Sequence, residues 1–272
     1  MEGFELLQQL TVWENLLAFW KFEDINAIWV LLGGILLGMS ASVIGGFAFL
    51  RKRSLIGDAL AHAALPGIMM AFLLFQTRDP LIMFFGAVIS SFIGFFLIDW
   101  LPKNTKIKPD AALAITLSFF FAIGLMLLSY IQGLEVPNKS GLDKILFGQA
   151  AAMTRDDINL LGIVALIILA SVALLFHKLR LITLDRSYAK TLGINVTAYE
   201  LLLSIFIVLS VVIGLQLVGV VLMAAVLLTP IAAARYWSDQ LKTVLILSAV
   251  IGAFSAIIST QVSYVAPAMP TG

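Results

Sequence analysis

Apolar residues in this chain neither alternate nor recur once per helical turn; they run on. Eight stretches carry almost no charge over about 20 residues, the length a helix needs to cross a ~30 Å hydrocarbon layer at ~1.5 Å per residue. They are residues 25–50, 54–75, 80–98, 111–131, 158–176, 201–215, 218–234 and 244–266. The charge-free run 201–234 would be about 51 Å long as one helix. Two short spans joined tightly near residues 214–219 fit better. Pro230 is expected to kink or break the second of them, because it cannot donate to the carbonyl of Val226. The pattern predicts an all-α, polytopic transmembrane bundle, one permease-like domain over residues 1–272.

Charge then sets direction. With the loop after the first span taken as cytoplasmic, 12 of the 17 Lys and Arg residues fall inside, among them Arg51, Lys52, Arg53, Arg180, Arg186, Arg235 and Lys242. Composition agrees with the spans: 61% of residues are hydrophobic and 12% charged, against ~45–50% and ~25% in soluble domains. The mean hydropathy is +1.05. A soluble enzyme, a disordered chain and a nucleic-acid-binding domain are thereby excluded, and a net charge of +1 calls for no polyanionic partner. Cysteine is absent, so disulfides and thiolate metal sites are excluded as well. Glu2, Glu5 and Glu14 occupy the place of a basic signal-peptide start, so insertion is expected to be directed by the spans themselves. The turn-rich tail 267–272 is expected to lead into one more helix.

Ionisable groups inside such spans are costly, about 2.5–3.5 kcal/mol near a helix centre on insertion scales, and mark partners, water or ions. Asp58 and His62 lie four residues apart among Gly57, Ala59, Ala61, Ala63 and Ala64. On a helix they share one face, roughly 6 Å apart along the axis. Pro66 removes the N–H that would bond the carbonyl of His62. One carboxylate and one imidazole beside a loosened backbone suit Mn²⁺, Fe²⁺ or Zn²⁺. Two ligands are too few for an ion, and a two-fold dimer with this face on its axis would supply four. The alternative is a carboxylate that merely pairs with Arg51, Lys52 and Arg53, and a packed histidine. On the inner side, Asp185 and Gly193 bracket a short amphipathic segment, as an N-cap and a left-handed stop would. His177 and Asp99-Trp100 read as interfacial, and Glu135, Asp143, Asp156 and Asp157 as solvated groups of an external loop.

The run Arg53-Ser54-Leu55-Ile56-Gly57-Asp58-Ala59-Leu60-Ala61-His62-Ala63-Ala64-Leu65-Pro66-Gly67 resembles the signature of the manganese/zinc/iron permease family of ABC importers. Similar stretches follow at Leu142-Asp143-Lys144-Ile145-Leu146-Phe147-Gly148, at Ala189-Lys190-Thr191-Leu192-Gly193-Ile194 and at Leu227-Leu228-Thr229-Pro230-Ile231-Ala232-Ala233-Ala234. The resemblance implies a homodimeric subunit of the cell membrane, with a fold similar to the vitamin B12-type importers. It would work with two cytoplasmic ATP-binding subunits and an external metal-binding protein. It places the metal-contacting residues at Asp58 and His62, and the coupling helix that meets the ATPase at Asp185, Ala189, Leu192 and Gly193. The cargo implied is manganese, with zinc or iron as alternatives, and no permanently bound cofactor. No Gly-x-x-x-x-Gly-Lys-Ser/Thr loop occurs in the chain, so ATP hydrolysis would belong to a partner. The competing reading is a secondary transporter or channel that uses Asp58 and His62 as a cation relay.

Overall fold

Where no water reaches the backbone, a spanning segment has to satisfy its own N–H and C=O groups, and each long apolar run is accordingly a helix. A computed structural model describes residues 17, 19–21, 24–51, 55–137, 141–142, 148 and 155–265, without the side chains of residues 216 and 221. The helices are α1 (Ile25–Leu50), α2 (Ile56–Phe75), α3 (Pro80–Asn104), α4 (Pro109–Gly133), α5 (Arg155–Leu184), α6 (Arg186–Thr191), α7 (Val196–Arg235) and α8 (Leu241–Val265). Local chemistry sets several starts. Asp24 and Asp79 accept from the N–H groups of Asn26 and Leu81 at 2.9 Å, and Pro80 and Pro109 open α3 and α4 where no donor is needed. Several helices outrun the apolar segments that predict them, α5 furthest of all, because a helix carried into the polar boundary still satisfies its backbone.

Among the described residues seven segments are long and apolar enough to cross a membrane. The expected eighth, residues 218–234, is a shorter arm, Leu222–Arg235, about 21 Å long and so less than a full crossing. Gly219 alone leaves helical geometry within α7, at φ 79° and ψ 175°, a conformation essentially restricted to glycine. The chain doubles back there. Gly214 lies against the side chain of Met223, though nine residues along one helix would separate them by ~13 Å. Leu227 returns to pack on Gly45 of α1 and Gly57 of α2. The tight connection predicted near 214–219 therefore exists, and of the kink or break expected at Pro230 the break is absent: the returning helix runs through it. The reason is that Pro230 forfeits a single bond, whereas Gly219 alone can adopt the reversing conformation. Gly148 (φ 81°), the end of the motif at 142–148, abuts the backbone of Leu217, Val218 and Gly219 at the turn. Residues 143–147 of that motif and the tail 267–272 lie outside the described residues.

The two-armed α7 is the hub, packing on α1, α2, α3, α5 and α8. On one side α2, α3 and α4 form a tight group, in which Gly67 and Gly86 meet backbone to backbone. On the other, Gly34 and Gly38 of α1 admit Ala256 and Gly252 of α8, as a Gly-x-x-x-Gly seam allows. Basic residues gather at one end. A single groove there takes in Leu50, Arg180, Arg235 and Lys242, and Glu200 joins Arg51 to Arg186. Because α3 runs antiparallel to α2, Lys103 comes to the same end.

Candidate metal site and inner-face helix

The first turn of α2 carries Asp58 where the helix dipole favours a carboxylate, and His62 follows one turn deeper. Asp58 Oδ1 lies 3.5 Å from His62 Nε2, with the side chains 31% and 15% exposed. That separation is long for a hydrogen bond between them. Phe121 of α4 meets the imidazole edge-on with centroids 4.6 Å apart, which limits its rotation. His62 Nδ1 is buried and has no hydrogen-bond partner among the described residues, and the same holds for Thr116 Oγ1 on α4. Leaving such an atom unmet costs about 1–3 kcal/mol, so an interior that tolerates it beside a carboxylate is suited to a polar or ionic visitor.

The site helix is held by hydroxyls from its neighbour. Ser90 Oγ donates to the carbonyl of Ala63 at 2.6 Å, and Ser91 Oγ to that of Leu60 at 3.2 Å. These bonds flank His62 and fix α2 on α3 next to Pro66. Gly94 makes room at the same level, where any side chain would run into Ala63. Among the described residues no group of three or more His, Asp or Glu side chains converges, so within them this pair stands without a third ligand.

The bland reading of Asp58 required the neighbouring basic cluster. Arg51 instead faces Glu200 of α7 at 3.8 Å, while Lys52 and Arg53 lie outside the described residues. Glu200 also accepts from Arg186 Nη2 at 2.8 Å. It thereby ties the end of α1, the start of α7 and the short helix α6 together.

That short helix has the predicted punctuation. Asp185 Oδ1 accepts from the Tyr188 N–H at 2.9 Å as its N-cap, Leu192 is the C-cap, and Gly193 turns the chain at φ 74°. Ala189 is fully buried beneath it, while Tyr188 and Leu192 are about half exposed. Tyr188 and Leu192, one turn apart, form an apolar strip on a surface that also exposes Arg186, Ser187, Lys190 and Thr191. His177 is exposed within α5 and borders a groove with Arg180. Asp99 pairs with Lys103 one turn on, and Asp156 and Asp157 open α5. Asp143 is outside the described residues. Sequence reasoning passed over Glu200, Ser90, Ser91 and Thr116. The available signals were an acid one turn into a span and a serine pair in the middle of another.

Fold and site define an all-α, multi-pass protein of the cell membrane with a carboxylate–imidazole pair on an interior helix. The chain belongs to the ABC 3 transport family, whose model matches residues 24–272. It is 44% identical over 252 residues to the manganese transport system membrane protein MntC of Bacillus subtilis (strain 168), covering 93% of this chain but 58% of that relative. It is 38% identical over 251 residues to the zinc transport system membrane protein TroC of Treponema pallidum, covering 92% and 84% of the two chains. Among solved structures, PsaBC from Streptococcus pneumoniae in complex with Fab superposes with a TM-score of 0.80 at 31% identity, over 90% of this chain and 86% of that one.

Proposed function

We propose that this chain is the membrane permease of an ATP-driven importer of a divalent transition-metal ion, manganese first, with zinc and iron as the alternatives. The observation that carries the reading is the 3.5 Å span from Asp58 Oδ1 to His62 Nε2. Two ligands each about 2.0–2.2 Å from one cation, at angles from ~90° to ~109°, stand roughly 2.8–3.6 Å apart. The pair therefore already has the bite of two ligands on one ion. The metal is cargo, not a resident cofactor. A homodimer would bring a second pair to the first, giving two carboxylates and two imidazoles, enough to admit an ion and few enough to release it.

Energy would come from elsewhere, since the chain lacks a phosphate-binding loop. The capped helix α6, with Asp185, Ala189, Leu192 and Gly193, is suited to docking in a groove of a cytoplasmic ATP-binding subunit through Tyr188 and Leu192. Movement of α6 would reach α1 and α7 through Glu200, and through α7 the site helix. An external metal-binding protein would deliver the ion from the opposite side. Relatives named for manganese and zinc support the cargo class.

The test is radiometal uptake in proteoliposomes. The importer reading expects uptake only with the ATPase subunit, ATP and the binding protein present, and none for Asp58→Ala or His62→Ala complexes that still assemble. A secondary transporter or channel would pass metal without the ATPase, and that result would overturn the proposal.

A further inference from the structure

At the basic end, α1, α5 and α8 part to leave an open groove of about 980 Å³. Its walls are apolar, from Val43 and Val172 to Leu245 and Ala249. Its mouth is cationic, with His177, Arg180, Arg235 and Lys242 all exposed. Among the described residues lining it, Asp239 is the one carboxylate, and it faces Arg235 at 3.6 Å. Arg180 and Lys242 pair with no carboxylate among the described residues and stand on the rim from two different helices.

The dimensions are those of one lipid leaflet. From Leu169 to the rim residue Arg180 on α5, and from Met39 to Leu50 on α1, the lining spans about 16 Å in each case at ~1.5 Å per residue, and Leu184 lines the groove one turn beyond the rim. Half of a ~30 Å hydrocarbon layer is about the same. An independent marker sets the depth of the mouth: Tyr236 and Trp237, beside Arg235, are 94% and 82% exposed, as aromatic residues at the headgroup level are. A groove of leaflet depth, greasy along its length and positive at the headgroup plane, complements a lipid with an anionic head. A water-soluble anion would use the rim and leave the walls bare. A peptide strand would find no backbone partners along them.

We propose that the groove between α1, α5 and α8 holds an anionic phospholipid, its headgroup phosphate between Arg180 and Lys242 and an acyl chain along the apolar walls. The inference stands apart from the metal reading, since neither Asp58 nor His62 contributes to it.

The experiment is native mass spectrometry of the chain reconstituted in phosphatidylcholine nanodiscs containing increasing phosphatidylglycerol, then released into detergent. The wild type is expected to retain phosphatidylglycerol over phosphatidylcholine. At about fivefold per basic residue, R180Q with K242Q lowers that preference roughly 25-fold. A249W, which fills the wall without touching charge, lowers retention of both lipids, and K106Q with K108Q, at the same end but outside the groove, changes neither. An unchanged melting temperature in detergent establishes that each variant is folded. The proposal is overturned if R180Q/K242Q keeps its preference, or if the Lys106 and Lys108 control loses as much. It is equally overturned if the groove variants retain lipid while losing capture of the ATP-binding subunit, which would make the groove a protein interface.

Discussion

Two carboxylates near the basic end of the bundle live in opposite circumstances. Glu200 on α7 faces two guanidiniums, Arg186 at 2.8 Å and Arg51 at 3.8 Å, which hold it from both sides. Asp58 on α2 has, among the described residues, an imidazole at 3.5 Å, whose far nitrogen finds no hydrogen-bond partner among them. The first is a closed account of charge, compensated within the fold and joining three elements. The second is left open, inside a helix group otherwise packed through small residues. Among the described residues two arginines face one acid and none faces the other; the first ties the fold together, and on the proposed function the second is available to an ion.

That contrast can be broken experimentally. The largest effect is expected for Asp58→Asn, which keeps the shape and removes the charge: metal uptake falls by at least on the order of 100-fold, as loss of a ligand should. Its melting temperature in detergent should stay level or rise, because an under-compensated charge has been removed. Next comes the turn that lets α7 serve both regions. Gly219→Ala places a Cβ at φ 79° and is expected to destabilise the fold by about 1–3 kcal/mol, read as a lowered unfolding midpoint. Glu200→Gln should do the reverse of Asp58→Asn. Both of its pairs are partly exposed, so stability drops by only about 1 kcal/mol, and uptake declines severalfold through loosened α6 instead of vanishing. The smallest stability change belongs to Asp185→Ala. Loss of its cap costs about 1 kcal/mol locally, with global melting barely moved, while ATPase stimulation by the permease falls and Asp185→Asn restores it.

The crossing helices were legible because the bilayer imposes one rule on every segment, and uncharged runs of sufficient length obey it. The reversal within residues 201–234 was legible for a related reason: one helix there would overshoot the membrane. The depth of the returning arm was not, because it depends on Leu227 seating against Gly45 and Gly57 and on the conformation of Gly219, neither of which hydropathy encodes. Pro230, expected to kink or break the returning arm, leaves it continuous, because a proline inside a helix forfeits one bond, whereas Gly219 is free to reverse the chain. At the site, Asp58 and His62 were visible since four-residue spacing is local. Ser90 and Ser91 were not, because a hydroxyl within a span usually bonds its own helix, and only the packing of α3 on α2 turns these two outward. Glu200 escaped for the same reason: Arg51 and Arg186 reach it from other elements of the fold.

The most direct test is spectroscopic. Electron spin-echo envelope modulation on the assembled, Mn²⁺-loaded transporter reports nitrogen bound to the ion. A histidine ¹⁴N coupling is expected in the wild type and should disappear in His62→Ala while the complex stays intact. If that coupling survived the substitution, or never appeared in the loaded wild type, the ion would travel by another route and the carboxylate–imidazole pair would not be its ligand.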